Sequence, residues 1–152
     1  MEEGREFIEK VDSASPAPGG GAVAAYTSSL AVALTRMAVN ISMKRKSFSN
    51  YEKEEQEYVL DLMAKLKIIE DNMYELKDLD VETFDKYMVA YRSKVQEEID
   101  RMTLECFRLP KKLNELIFSA LEIINELEKY VVSSVVSDYK MSLIMLSSML
   151  DC

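Results

Sequence analysis

The run Ser15-Pro16-Ala17-Pro18-Gly19-Gly20-Gly21, placed directly before a helical segment, carries the strongest local signal for chemistry in the chain. Its prolines stiffen the approach to the helix. Its glycines remove side chains, so that backbone N–H groups at the helix start can face a ligand, and a helix N-terminus favours a carboxylate or a phosphate. The competing reading is a tight helix entry packed against a neighbour. The run matches neither the P-loop nor the dinucleotide pattern, since no lysine follows it and no strand precedes it. Lys44-Arg45-Lys46 closes the same helix, either to complement its negative end or to offer a cationic rim to an anionic substrate tail. The candidates for contact with such a ligand are Pro18, Gly19, Gly20, Gly21, Lys44 and Lys46.

Asp80, Asp85 and Tyr91 lie along one later stretch. On a helix Asp80 and Asp85 stand about 140° apart and do not share a face. Asp138 sits beside Ser137 in an otherwise apolar segment, where capping a helix is its plainest role. The chain has no histidine and two cysteines, Cys106 and Cys152. A zinc site, a Ser-His-Asp triad and a Cys-His dyad are thereby excluded, and no metal is expected. Carboxylates, lysine, tyrosine and backbone amides must carry any chemistry. The ten methionines read as core filler.

These residues need a scaffold, and composition describes it. With 152 residues, 48% hydrophobic and 30% charged, the chain reads as one soluble globular domain over 1–152 with no disorder. The longest uncharged run, Ser13 to Thr35, is too broken and too polar to be expected to cross a membrane. Met1-Glu2-Glu3-Gly4-Arg5 does not open a signal peptide, and two cysteines form no disulfide framework, so a cytoplasmic protein is expected. A net charge of −8 argues against nucleic acid as a partner.

Three of the four glycines and two of the three prolines fall in the opening loop, and from Ala22 onward there is no glycine and one proline, Pro110. A sheet needs regular turn residues, so the fold is predicted to be all-α. Helices are expected from about Glu3 to Val11, from Gly20 or Gly21 to about Met43, and from Tyr51 to Lys77. A second stripe runs from Phe84 to Cys106, with Asp78 to Val81 as a kink. Pro110 suits the first turn of a helix reaching about Tyr130, and a last helix covers Ser137 to Leu150. The sum is an antiparallel bundle of five or six helices, two of them apolar enough to suggest a homodimer.

The opening run, continued by Ala22-Val23-Ala24-Ala25 and followed by Met37-Ala38-Val39-Asn40 and Lys44-Arg45-Lys46, resembles the start of the formiminotransferase-cyclodeaminase C-terminal domain family. The segment from Asp80 to Tyr91, then Leu109-Pro110 and Val136-Ser137-Asp138, follow in the order of that family's later landmarks. The chain departs from the pattern in three ways. Val131-Val132-Ser133-Ser134 stands where a Gly-Asn pair is usual, Met43 stands where glycine often precedes the basic cluster, and the chain ends earlier than most members.

The resemblance implies an all-α dimer acting on a folate that carries a one-carbon unit, with no bound cofactor. In formiminotetrahydrofolate cyclodeaminases, N10 attacks the formimino carbon and ammonia leaves. In the related methenyltetrahydrofolate cyclohydrolases, water attacks the methenyl carbon. Asp85 and Asp138 become the proton-handling candidates on this basis, Tyr91 a hydrogen-bond partner, and the glycine loop with Lys44 and Lys46 the site for the folate's glutamate carboxylates. The alternative is a non-catalytic helical dimer that keeps the fold.

Overall fold

A computed structural model describes residues 2–150, and within them the chain forms six α-helices and no strand. These are α1 (Glu2–Val11), α2 (Gly20–Met43), α3 (Lys46–Ser49), α4 (Lys53–Ser93), α5 (Gln96–Leu127) and α6 (Val136–Ser148), with two short 3-10 turns between α5 and α6. Cys152 lies outside the described residues.

The bundle is built around α2. Its first four turns carry no charge, and its small residues Ala22, Ala25, Ser28 and Ala31 are buried, so neighbouring backbones approach closely. It packs against α4, α5 and α6. By length and hydropathy α2 is sufficient to cross a membrane, contrary to expectation, but 56% of its most apolar window is buried within the bundle. Both α4 and α6 run antiparallel to it. Tyr26 meets the Tyr74 ring at 6.2 Å and Arg36 meets Glu70 at 3.6 Å, while Thr35 meets Ser142 at 2.6 Å and the Ser42 hydroxyl accepts the Val132 N–H at 3.0 Å. Leu66, Met73, Ile117, Ile124 and Leu146 fill the space between, all fully buried. Met63 and Met73 are core residues as predicted, whereas Met37 and Met141 are exposed.

Three boundaries differ from the sequence expectation. No kink occurs at Asp78 to Val81, because α4 runs unbroken through them. The stretch lacks proline and glycine, and Asp80 spends its carboxylate on another helix instead of on its own backbone. The break falls later, at Lys94, which adopts φ 60° and ends α4, while the Ser93 hydroxyl accepts the Val95 N–H. The predicted stripe from Phe84 to Cys106 is therefore divided between two helices. Pro110, expected in a first turn, lies inside α5. Proline removes one helical hydrogen bond, here the one that the Cys106 carbonyl would accept, and burial of Leu113 and Ile117 just beyond it carries the helix past the defect.

Past Asp80, α4 has outrun α2. From Val81 to Arg108 the paired ends of α4 and α5 form an overhanging hairpin in which only Thr83, Ala90 and Met102 are buried.

Candidate functional site

The tip of α2 is where the loop and the helices meet. Gly19 occupies the N-cap position with no side chain to bond the free amides, and its carbonyl accepts the Val23 N–H at 3.0 Å. Pro18, joined to Ala17 by a cis peptide, is buried beneath it. The missing cap comes from α4. The Asp80 carboxylate accepts the Ala22 N–H and lies against Gly21, where a Cβ would sit 2.3 Å from Oδ1 and 2.7 Å from Cγ. Burial pushes the Asp80 carboxyl above its usual range, and the Ala22 bond offsets part of that. On the far side stands Cys106, whose thiol is held protonated first by burial and then by the Asp80 charge. The anion at this helix tip is thus a side chain of the protein, Asp80, which the sequence reading named but gave no role.

Beside the tip, α1 and α4 enclose a cleft of about 420 Å³, in the range of small-molecule sites. Pro18 and Asp85 both line it, so two of the predicted residues meet there. Its wall is acidic. Glu3, Glu6, Asp78, Glu82 and Asp85 face Lys10 and Lys77, with Lys10 paired to Glu6 at 2.9 Å. Lys77 is nearly buried, its ammonium 5.5 Å from the Phe7 ring centre, 5.3 Å from that of Tyr26 and 4.1 Å from that of Tyr74. Burial alone would lower its pKa; the Tyr74 hydroxyl and the Asp78 carboxylate, 3.5 Å away, outweigh that and keep it charged above the usual lysine range.

The other predicted residues lie elsewhere. Asp85 also borders a second cleft of about 470 Å³ between α4 and α5, lined by Lys86 and Arg101. Tyr91 is exposed, about 9 Å along α4 from Asp85 and about 120° round it. Lys44 and Lys46 flank the other end of α2, about 36 Å from Gly20 by helical rise. Lys44 lines a shallow cleft of about 290 Å³ with Arg36, Asn40 and Glu70. Asp138 is half-buried in the first turn of α6 and makes no capping hydrogen bond. Since Ser142 is level with Thr35, Asp138 is level with about Val39, roughly 30 Å from Asp85. Within one chain the two aspartates do not meet, nor do the glycine tip and the basic cluster. Among the described residues no three His, Cys, Asp or Glu side chains are grouped to hold a metal ion.

Comparison with known proteins supports the resemblance read from the loop. The family model for formiminotransferase-cyclodeaminase matches residues 3–152. The chain belongs to that family. Its fold is similar to the crystal structure of a formiminotetrahydrofolate cyclodeaminase from Thermotoga maritima, with a TM-score of 0.84 and 21% identity over 95% of this chain and 71% of that one. No match was found among curated proteins. For a member of the formiminotransferase-cyclodeaminase family, the order of landmarks from Pro16 to Asp138 is now explained by one bundle. The loop enters α2, the Asp80 segment crosses its tip, and Asp138 opens the helix that packs along its far half.

Proposed function

We propose that the protein is a formiminotetrahydrofolate cyclodeaminase, which closes the methenyl ring of the folate and releases ammonia. The acidic cleft between α1 and α4 is the observation that carries this reading. A formimino group on nitrogen is an amidine, protonated near neutral pH, so the one-carbon end of the substrate is a cation. Five carboxylates against two lysines complement that charge. In the reaction N10 bonds to the formimino carbon, the C–NH2 bond breaks, the N10 proton passes to a base and ammonia leaves with a proton. Asp85, exposed on the cleft wall, is assigned the acceptor role. Mixing the protein with 5-formiminotetrahydrofolate should raise the methenyl-folate absorbance band and release equimolar ammonia. Decay of the methenyl band with no ammonia would make it a cyclohydrolase instead. No change with either folate would leave a non-catalytic helical protein.

The remaining assigned residues are reached through a homodimer. Val23, Leu30, Met37 and Lys44 recur every seven residues on α2, and with Ala33, Leu34, Asn40 and Ile41 they form a seam that the bundle leaves exposed or half-buried. The seam is close to symmetric about Ala33 and Leu34. An antiparallel pairing with a second copy sets Leu30 against Met37 and brings each basic end beside the other copy's acidic cleft. Lys44, Lys46 and Asp138 of one subunit then approach Pro18, the glycine tip and Asp85 of the other, where the cations serve the folate's glutamate carboxylates. Sedimentation showing a monomer at micromolar concentration would remove this arrangement. A reducing cytoplasmic setting fits the free thiol of Cys106.

A further inference from the structure

We propose that Lys77 orients the ligand in the α1/α4 cleft, donating to an oxygen acceptor carried beside a planar aromatic ring. This rests on the cleft being the folate site. The ammonium is fixed by three rings contributed by three helices, Phe7 from α1, Tyr26 from α2 and Tyr74 from α4, so its position does not depend on a flexible surface stem. An ammonium has three N–H donors. Its polar partners are the Tyr74 hydroxyl and the Asp78 carboxylate at 3.5 Å, and Lys77 lines the cleft. Asp78 is itself 77% exposed at the side chain, so its ion pair is the replaceable partner. Tyr74 is 43% exposed and lines the same cleft, offering a ring on which a planar heterocycle can lie. A cation at the floor and carboxylates around the rim select a ligand with an acceptor oxygen near one end of its ring system and positive charge near the other. The cage thus adds an orientation requirement to the charge complementarity of the rim.

A folate has two such oxygens beside rings, the pterin carbonyl and the carbonyl of its aminobenzoyl-glutamate arm, and the test separates them. Binding to the full chain is measured by calorimetry with 6-methyltetrahydropterin, which lacks the aminobenzoyl-glutamate arm, and with p-aminobenzoylglutamate, which lacks the pterin. Lys77→Met keeps an apolar stem in the cage and removes the charge. It should weaken one of these two ligands by about tenfold or more, the worth of a charge-assisted hydrogen bond, and raise KM more than it lowers kcat. Loss confined to 6-methyltetrahydropterin assigns the pterin oxygen, and loss confined to p-aminobenzoylglutamate assigns the arm. Tyr74→Phe, which keeps the ring, should give a smaller loss on the same ligand and carries the test alone if the methionine variant does not fold. Unchanged affinity of the folded variants for both ligands overturns the proposal, as does a wild-type protein that binds neither. Wild-type binding without turnover defeats the cyclodeaminase reading, while the variants' affinities still decide the role of Lys77.

Discussion

A methyl group on Gly21 would lie 2.3 Å from a carboxylate oxygen of Asp80, closer than any stable contact. The glycine therefore answers to a residue 59 positions away in sequence (80 − 21), across two helices. Gly21→Ala should cost about 1–3 kcal/mol by overpacking. In an Asp80→Ala background the clash is gone, and the same methyl should be neutral or stabilising by up to about 1 kcal/mol through helix propensity. Denaturant unfolding of the two single variants and the double variant measures the coupling. Additive effects would mean that the two residues do not touch.

The Asp80 carboxyl titrates above its ordinary value because it is buried. The folded state then holds its proton to higher pH than the unfolded chain does. Stability from this group falls as pH rises from about 4, the ordinary aspartate value, through the raised folded pKa, and stays lower above it. Asp80→Asn keeps an acceptor for the Ala22 amide and removes the charge. Its melting temperature should exceed the parent's at pH 7, and the gain should shrink on acidification through that window. A variant equally destabilised at both ends of the range would contradict this.

Tyr139 is 3% exposed and donates its hydroxyl to the Ile124 carbonyl at 2.9 Å. Burial pushes its pKa up to about 12. Unfolded tyrosine ionises near 10, so between those values the unfolded state loses its proton first and stability falls as pH rises. Ultraviolet titration should show one tyrosine that ionises late and together with unfolding. Tyr139→Phe should remove that component and cost about 1 kcal/mol at pH 7.

Thr35 and Ser142 are both fully buried and bond at 2.6 Å. Ser142 gives its proton to the Tyr139 carbonyl, so Thr35 is the donor between the pair. Ser142→Ala strands that donor and should cost about 1–2 kcal/mol, whereas adding Thr35→Val should recover part of the loss. Chemical denaturation of the three variants reads this directly.

Asp85→Asn and Asp138→Asn should each lower kcat by about 10²-fold or more. Within one chain these residues are roughly 30 Å apart. If subunits share a site, unfolding and refolding an equal mixture of the two inactive variants should restore about a quarter of parental activity, since half the dimers are mixed and each carries one intact site. No recovery would confine the site to one chain.

The sequence legible as pattern was the helical part: the uncharged, glycine-free run from Ala22 to Thr35 and the three- and four-residue spacing of Val59, Leu62, Met63 and Leu66 admit only helix. What it did not show was where long helices break. Lys94, an ordinary residue taking φ 60°, ends α4, while Pro110, an expected breaker, does not end α5. Both outcomes are decided by packing at a distance. The site divided in the same way. The loop stood out from residue type, Asp85 became a candidate only through the resemblance, and the opposite placement of Lys44 follows from counting residues along α2. The cap supplied by Asp80 and the cage around Lys77 could not, because each joins residues from separate helices whose register local spacing does not encode.

The overhang of α4 beyond α2 means that one continuous rod serves two mechanical duties. Lys77 and Asp80 belong to the part clamped inside the bundle, whereas Glu82 and Asp85 ride on the part paired with α5 in the hairpin and bordered by α1 across the cleft. Amide hydrogens along this single helix should accordingly exchange at two rates, slow up to about Asp80 and fast beyond it. Two of the cleft's five carboxylates, Glu82 and Asp85, thus sit on a cantilever, while Glu3, Glu6 and Asp78 belong to the foundation around it.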